Sequence, residues 1–245
     1  MKPYLLARQA ALGLATRLGF QIQRICPTHS ADIALRELLR SNDVDLVLDV
    51  GANVGQFAKM LIDVGWQGRI VSFEPLSEPY AELQRASAPH PQWEIAERCC
   101  IGDHEGEVEV FISENSVASS VLPLNGEMDT YSPDARYRSS ERVPIHTLDV
   151  AAVKPLSTAR RPFLKIDVQG YEEQVLAGAP RTLARSVGLQ IELSFIELYR
   201  GQKLYAEFVS WIEREGFVVH RLVPSFVDTT TGRWLQADVI AFRPA

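Results

Sequence analysis

An acid two residues ahead of a glycine, with a second glycine four residues further on, marks the segment Asp49-Val50-Gly51-Ala52-Asn53-Val54-Gly55. Glycines so placed let a backbone approach a ligand closely, and a helix opening after them offers unpaired N–H groups. Glu74 closes the next apolar run, Ile70-Val71-Ser72-Phe73. A carboxylate at the tip of a second parallel strand can accept both hydroxyls of a ribose. Two cofactor chemistries use this geometry. A dinucleotide calls for G-x-G-x-x-G beneath its pyrophosphate, whereas this chain has only Gly51-x-x-x-Gly55 behind an acid, Asp49, that would repel a pyrophosphate. An acid there suits a cationic or amino-acid-like group, and S-adenosylmethionine carries an ammonium, a sulfonium and an adenosine ribose. The plain alternative is a glycine turn in an ordinary α/β protein, with Glu74 a solvated strand end.

Methyl transfer to a hydroxyl calls for a base or a metal ion, because an alcohol is a poor nucleophile near neutral pH. Asp167 is the first candidate. It follows the apolar run Phe163-Leu164-Lys165-Ile166, at the edge where open α/β sheets bind ligands. Gly170 then lets the chain turn away. Glu192 has a similar place on the next strand, so the two carboxylates can converge and share a divalent cation or raise one another's pKa. The plainer roles are a helix cap for Asp167 and a partner for some nearby cation for Glu192. His146, ending the strand Val143-Pro144-Ile145-His146, is a third candidate base. Lys165 shares a strand face with Asp167, which suggests a buried ion pair. Glu172 suits the first turn of a helix, and His29, His90, His104 and His220 show no grouping of a metal site.

The elements that must position these residues follow from periodicity. Leu46-Val47-Leu48 is a strand, and Phe57, Met60, Leu61 and Val64 repeat at helical spacing. Helices are expected over 31–40, from a Ser77 cap to about Arg85, over 171–177 and over 206–215. Further strands are expected at 70–73, 93–96, 143–148, 163–168 and 187–193. Extended segments 99–103 and 108–112 flank a turn at Asp103-His104-Glu105-Gly106, and Asp149 caps a turn before a polar connection over 151–161. The stretch from Ser113 to Ser140 has the composition of a long lid or binding loop, beneath which an acceptor would meet the cofactor. Its Asn115, Ser116, Ser119 and Ser120 suit a polyol, and Tyr131 or Tyr137 a sugar face. The last two strands, 217–223 and 237–242, have no helix between them and should pair antiparallel. The whole predicts an α/β fold, mostly parallel with one reversed strand.

The chain of 245 residues, 46 % hydrophobic and 23 % charged, has the composition of a globular protein with a substantial core. A net charge of −6 argues against a general nucleic-acid binder. Cys26, Cys99 and Cys100 lack metal spacing and are expected to be reduced thiols in a cytoplasmic protein. Neither a membrane span nor a signal peptide is apparent. Lys2, Arg8, Arg17 and Arg24 precede the first acid, and Leu14, Leu18, Ile22 and Ile25 form a stripe among them. Such an arm either lies on an anionic membrane surface or packs on the body or a second subunit. Residues 1–42 are taken as this helical arm and 43–245 as one domain.

The set Leu48–Phe57, Phe73-Glu74-Pro75 and Leu164–Glu172 resembles the FkbM-type methyltransferases, over roughly residues 43–193. The resemblance implies a class I, S-adenosylmethionine-dependent enzyme with a Rossmann-like sheet, helices on both faces and an antiparallel C-terminal hairpin strand. Members commonly methylate hydroxyls of sugars or polyketide products, and some similar sugar O-methyltransferases use magnesium. Cofactor roles are carried over to Asp49, Gly51, Asn53, Gly55 and Glu74, with Asp103 at a position that often holds adenine. The expected activity is O-methylation of a sugar, glycolipid or similar small molecule. A nicotinamide-dependent oxidoreductase and a non-catalytic cofactor-binding module are the rivals.

Overall fold

A computed structural model describes residues 3–20, 22 and 25–244; Lys2 and Arg24 of the basic arm lie outside them. The strands are Leu46–Val50 (β1), Arg69–Phe73 (β2), Trp93–Ile95 (β3), Cys100–Gly102 (β4), Gly106–Ser113 (β5), Tyr137–Thr147 (β6), Pro162–Ile166 (β7), Gly188–Ser194 (β8), Val218–Val227 (β9) and Trp234–Phe242 (β10). One sheet runs β3-β2-β1-β7-β8-β10-β9, and a smaller one runs β4-β6-β5. Strands β3, β2, β1, β7 and β8 are mutually parallel, while β10 is antiparallel to both β8 and β9. The chain winds outward to β2 and β3, then returns past β1 to β7. A crevice therefore opens between the C-terminal ends of β1 and β7, the switch point where such sheets bind ligands.

Helices cover both faces. Pro3–Arg17 (α1), Ala31–Ser41 (α2), Gln56–Asp63 (α3) and Ser77–Ser87 (α4) come first, then the short Met128–Tyr131 (α5), Leu148–Ala151 (α6) and Val153–Thr158 (α7). Glu172–Ala177 (α8), Pro180–Arg185 (α9) and Tyr205–Arg214 (α10) complete the set. Side chains alternate along a strand, so β1 sends Leu46, Leu48 and Val50 to one core with Phe208 and Ile212 of α10. Its Val47 goes to the other, with Leu35 and Leu39 of α2, Ala58 and Leu61 of α3, and Phe163 and Phe242. All five β1 residues are buried, as a central parallel strand requires. On the α2–α3 face, register places Ser72, Asp49, Lys165 and Gln190 in one polar row across β2, β1, β7 and β8.

Extended segments do flank the turn at Asp103–Gly106, and β4 and β5 both pair with β6, which lies between them. Two local expectations change. The 113–140 stretch carries α5 and the start of β6, and it buries Met128 and Ala135 against Leu198 and Tyr199. Those two positions are thus anchored by apolar contacts. The connection over 151–161 is largely helical, with Pro155 and Leu156 buried. Pro155 is tolerated because a first-turn N–H has no intrahelical acceptor to lose. Asp149 caps α9, accepting from Arg181 N and Thr182 N at 2.9 and 2.7 Å.

Candidate active site

The glycine bend after β1 is shaped by close approach. Gly51 has φ +79°, and a Cβ there would stand 1.8 Å from the Asp167 carbonyl oxygen. Only glycine lets β1 and β7 come so near at their ends. Gly55, φ +88°, would drive a Cβ to 2.4 Å from the Trp93 ring. Between them Asn53 is left-handed at φ +47°, and its backbone N–H donates to Glu74 Oε2 at 2.8 Å. Glu74 Oε1 accepts from Leu76 N at 2.9 Å. A carboxylate offers about four lone-pair sites, so both oxygens keep capacity for further donors. Burial pushes the Glu74 carboxyl up to about 7, against the lowering effect of those two N–H groups.

A cavity of about 320 Å³ opens here, lined by Gly51–Asn53 below, Glu74 to Leu76 and Cys99 to Ile101 on one side, and Asp167 to Gln169 on the other. Ser116, Ser119 and Ser120 roof it, and Lys165, Gln190 and Asp238 line its inner end. Burial raises the two thiols, to about 11 for Cys99 and about 12 for Cys100. They are therefore neutral, apolar wall at physiological pH.

Asp49, expected to face a cofactor cation, instead holds a cation of the protein. It is fully buried and absent from the cavity wall. Its Oδ1 lies 3.2 Å from Lys165 Nζ, close enough for charge pairing though poorly aligned for a hydrogen bond. Its Oδ2 accepts from Ser72 Oγ at 2.9 Å, which in turn accepts from Trp93 Nε1. Lys165 Nζ also donates to Gly51 O and stands 3.6 Å from Asp167 Oδ2. The ammonium thus braces the glycine bend against β7, as the shared face of Lys165 and Asp167 implied.

Asp167 reaches the cavity with its side chain 32 % exposed. Glu192 converges on it, but from behind. Gln169 Nε2 donates to Asp167 Oδ1 and to Glu192 Oε2, both at 2.8 Å. The Tyr199 hydroxyl, 2.7 Å from Gln169 Oε1, sets the orientation of that amide. Burial first, then the charges of Asp167 and Asp238, push the Glu192 carboxyl well above the ordinary range. Since an amide N–H₂ fills the position between the two carboxylates, this pair does not offer a divalent cation an open set of oxygen ligands. Among the described residues no three His, Cys, Asp or Glu side chains form such a set either.

Two other candidates stand elsewhere. His146 lies on β6 of the smaller sheet, half-exposed and paired through Nδ1 with Glu105 Oε2 at 2.6 Å. Asp103 is exposed on the turn after β4, 2.7 Å from His104 Nδ1, and outside the cavity lining. Both belong to strand ends of the smaller sheet, and strand ends look alike in sequence whichever sheet they join. Asn115 caps its own loop through Ala118 N, and Tyr137 stacks on Phe111 with centroids 5.0 Å apart. Glu172 accepts from Val168 N and Gly170 N, bracing the turn under Gln169. Sequence reasoning missed Gln169, Gln190, Tyr199 and Asp238. A single acid in the apolar run of β10 was the available signal for Asp238.

The sheet order, the reversed β10 and the cavity at the switch point define a class I methyltransferase fold. A profile of the methyltransferase FkbM domain matches residues 49–219, and the chain belongs to that family. The 2-O-methyltransferase NoeI of Sinorhizobium fredii (strain NBRC 101917 / NGR234) is 26% identical over 175 residues, 64% of this chain. That match spans 66% of NoeI, just under two thirds of its length. A crystal structure of methyltransferase FkbM from Methylobacillus flagellatus KT superposes with a TM-score of 0.52 at 17% identity. The superposition covers 82% of this chain and 44% of that one, and it shows the shared fold.

Proposed function

We propose that this methyltransferase moves a methyl group from S-adenosylmethionine to a hydroxyl of a sugar, glycolipid or similar natural product. The observation that carries the reading is the placement of Glu74 on the cavity wall with lone pairs to spare, beside a glycine bend with no room for a side chain. These residues fit the cofactor: Glu74 would hold the ribose hydroxyls, Leu76, Cys99 and Ile101 would pack on adenine, and Gly51–Asn53 would admit the amino-acid end. When bound, the cofactor supplies a methyl group already activated on a sulfonium, so the protein mainly aligns and desolvates the acceptor. Asp167 accepts the hydroxyl proton at a carboxylate oxygen as attack proceeds. Gln169 and Lys165 fix that carboxylate in place, and Glu192 positions Gln169 from behind. The name of NoeI favours oxygen as the acceptor atom.

Calorimetry with S-adenosylmethionine, S-adenosylhomocysteine and NAD tests the cofactor. Binding of the first two alone is expected. Binding of NAD alone would return the oxidoreductase reading, and cofactor binding without turnover on any hydroxylated acceptor would favour a non-catalytic module. A second proposal concerns the N-terminal arm, where Leu14, Leu18, Phe20, Ile22 and Ile25 are exposed. Of these only Leu14 lies on α1, which ends at Arg17, so the expected stripe is not one helix face. This exposed apolar end makes peripheral contact with an anionic membrane surface. Removing residues before Ser30 should lower partitioning onto anionic liposomes; unchanged partitioning, or loss of a dimer instead, would dismiss the membrane role.

A further inference from the structure

The inner end of the cavity holds groups that neither the ribose-facing wall nor Asp167 employs. Gln190 of β8 and Asp238 of β10 line it together with Lys165 and Phe57. Gln190 is 7 % exposed, and among the described residues its Oε1 has no hydrogen-bond partner. It lies beside the Asp238 carboxylate, whose pKa it lowers, and a carboxylate can be served only by the amide nitrogen, which leaves the oxygen as the unpaired atom. A buried acceptor without a donor is costly unless something entering the cavity supplies one.

The neighbouring donors are already spent. Lys165 Nζ donates to Gly51 O and sits against Asp49 and Asp167. Gln169 Nε2 serves Asp167 and Glu192. What faces the space is therefore acceptor-rich: Gln190 Oε1, the Asp238 carboxylate and the Asp167 carboxylate. The charge balance agrees, since Asp49, Asp167 and Asp238 all act on the single ammonium of Lys165. An anionic group would meet repulsion from the carboxylates, which outnumber the one ammonium. Uncharged O–H donors suit these acceptors, and Phe57 adds an apolar side chain to the same lining.

We propose that Gln190 and Asp238 bind hydroxyls of the acceptor adjacent to the one that is methylated, and that this subsite selects an uncharged polyol ring over its carboxylated or phosphorylated counterpart. The proposal rests on the methyl-transfer reading of the same cavity. Its test is saturation-transfer NMR on the full chain with S-adenosylhomocysteine present. The probes are the methyl pyranosides of glucose, galactose, mannose and fucose, against glucuronate and glucose 6-phosphate. At least one neutral glycoside should bind and both charged sugars should not. Asp238→Asn and Gln190→Met should each weaken glycoside binding by about tenfold or more, with S-adenosylhomocysteine affinity changed less than about twofold. Should Asp238→Asn misfold, Gln190→Met alone decides. Equal binding of charged sugars, no binding of any glycoside, or glycoside binding untouched by the substitutions overturns the proposal. Glycoside binding that persists while S-adenosylhomocysteine fails to bind would sink the cofactor reading and leave the subsite standing.

Discussion

Replacing Lys165 with methionine keeps most of the side-chain volume and removes a buried charge. In the native protein the residue is 4 % exposed, with Nζ 3.2 Å from Asp49 Oδ1 and 3.6 Å from Asp167 Oδ2. Burial disfavours the ammonium, but the Asp49 carboxylate, followed by Asp167, outweighs it and holds Lys165 above the ordinary lysine range. The two acids are not equally exposed to the loss. Asp167 is 32 % exposed and can lean on water, whereas Asp49 is sealed at 0 %. Breaking a buried pair from one side leaves an uncompensated charge and costs about 3–5 kcal/mol. For a chain of this size that is a fall of roughly 6–20 °C in melting temperature. Adding Asp49→Asn removes the orphan charge while keeping an acceptor for Ser72. The double variant should therefore come back to within about 1–2 kcal/mol of the native protein. Scanning calorimetry on the native protein, both single variants and the double variant completes the cycle. A Lys165→Met protein that melts within about 2 °C of native, or a double variant that loses the sum of both single losses, refutes the account.

Gly51→Ala should cost about 2–4 kcal/mol in urea unfolding, since it combines a strained φ with a Cβ driven into the Asp167 carbonyl; Gly65→Ala, also at positive φ but with open space around it, should cost only about 1 kcal/mol. Glu74 carries a pH dependence of known sign. Its folded carboxyl is raised to about 7, so its contribution is present below about pH 4.5 and is lost as pH rises toward 7, by roughly 3 kcal/mol. Glu74→Gln should flatten that part of the stability curve and weaken S-adenosylhomocysteine binding at pH 8 by about 10–100-fold; an unchanged slope and unchanged affinity would refute both. The Asp149 carboxyl is lowered because the N–H groups of Arg181 and Thr182 outweigh the raising effect of burial. Asp149→Ala should then cost about 1–2 kcal/mol near neutral pH, a penalty that shrinks as pH falls below about 4.

What the sequence showed plainly was local. Gly51, Gly55 and Glu74 lie within one strand–turn–helix–strand unit, whose hydrophobic spacing dictates how the chain runs, so their relation in space follows from their spacing. The reversed β10 was legible for a similar reason: no helix separates it from β9. Contacts between distant segments were not legible. Asp238 reaches the cavity from β10 only because that strand slots between β8 and β9, and no spacing rule predicts the slot. Gln169 stands between Asp167 and Glu192, and it required a left-handed backbone at φ +56° that a non-glycine residue rarely adopts. His146, on β6, and Asp103, just after β4, stand outside the cavity lining because those strands form the smaller sheet, a placement that spacing along the chain does not reveal.

The acid at the head of the glycine bend shows how a motif divides its labour. A carboxylate ahead of Gly51 could face the ligand or the protein, and chain spacing is the same in either case. Burial decides. Asp49 sits in a row whose other members are Ser72, Lys165 and Gln190, and a charge held that deep needs its partner within the protein. Its partner, Lys165, also grips the carbonyl of Gly51 and faces Asp167. The pair therefore fixes the distance between the bend and the strand that carries the proposed base, while Glu74 alone of the two acids stays turned to the cavity. Two acids that look equivalent in sequence should then separate cleanly in binding. Neutralising Asp49 together with Lys165 should preserve S-adenosylhomocysteine affinity to within about tenfold, whereas neutralising Glu74 alone should not. If the Asp49→Asn/Lys165→Met protein folds but loses the ligand entirely, Asp49 reaches the ligand after all and the division is mistaken.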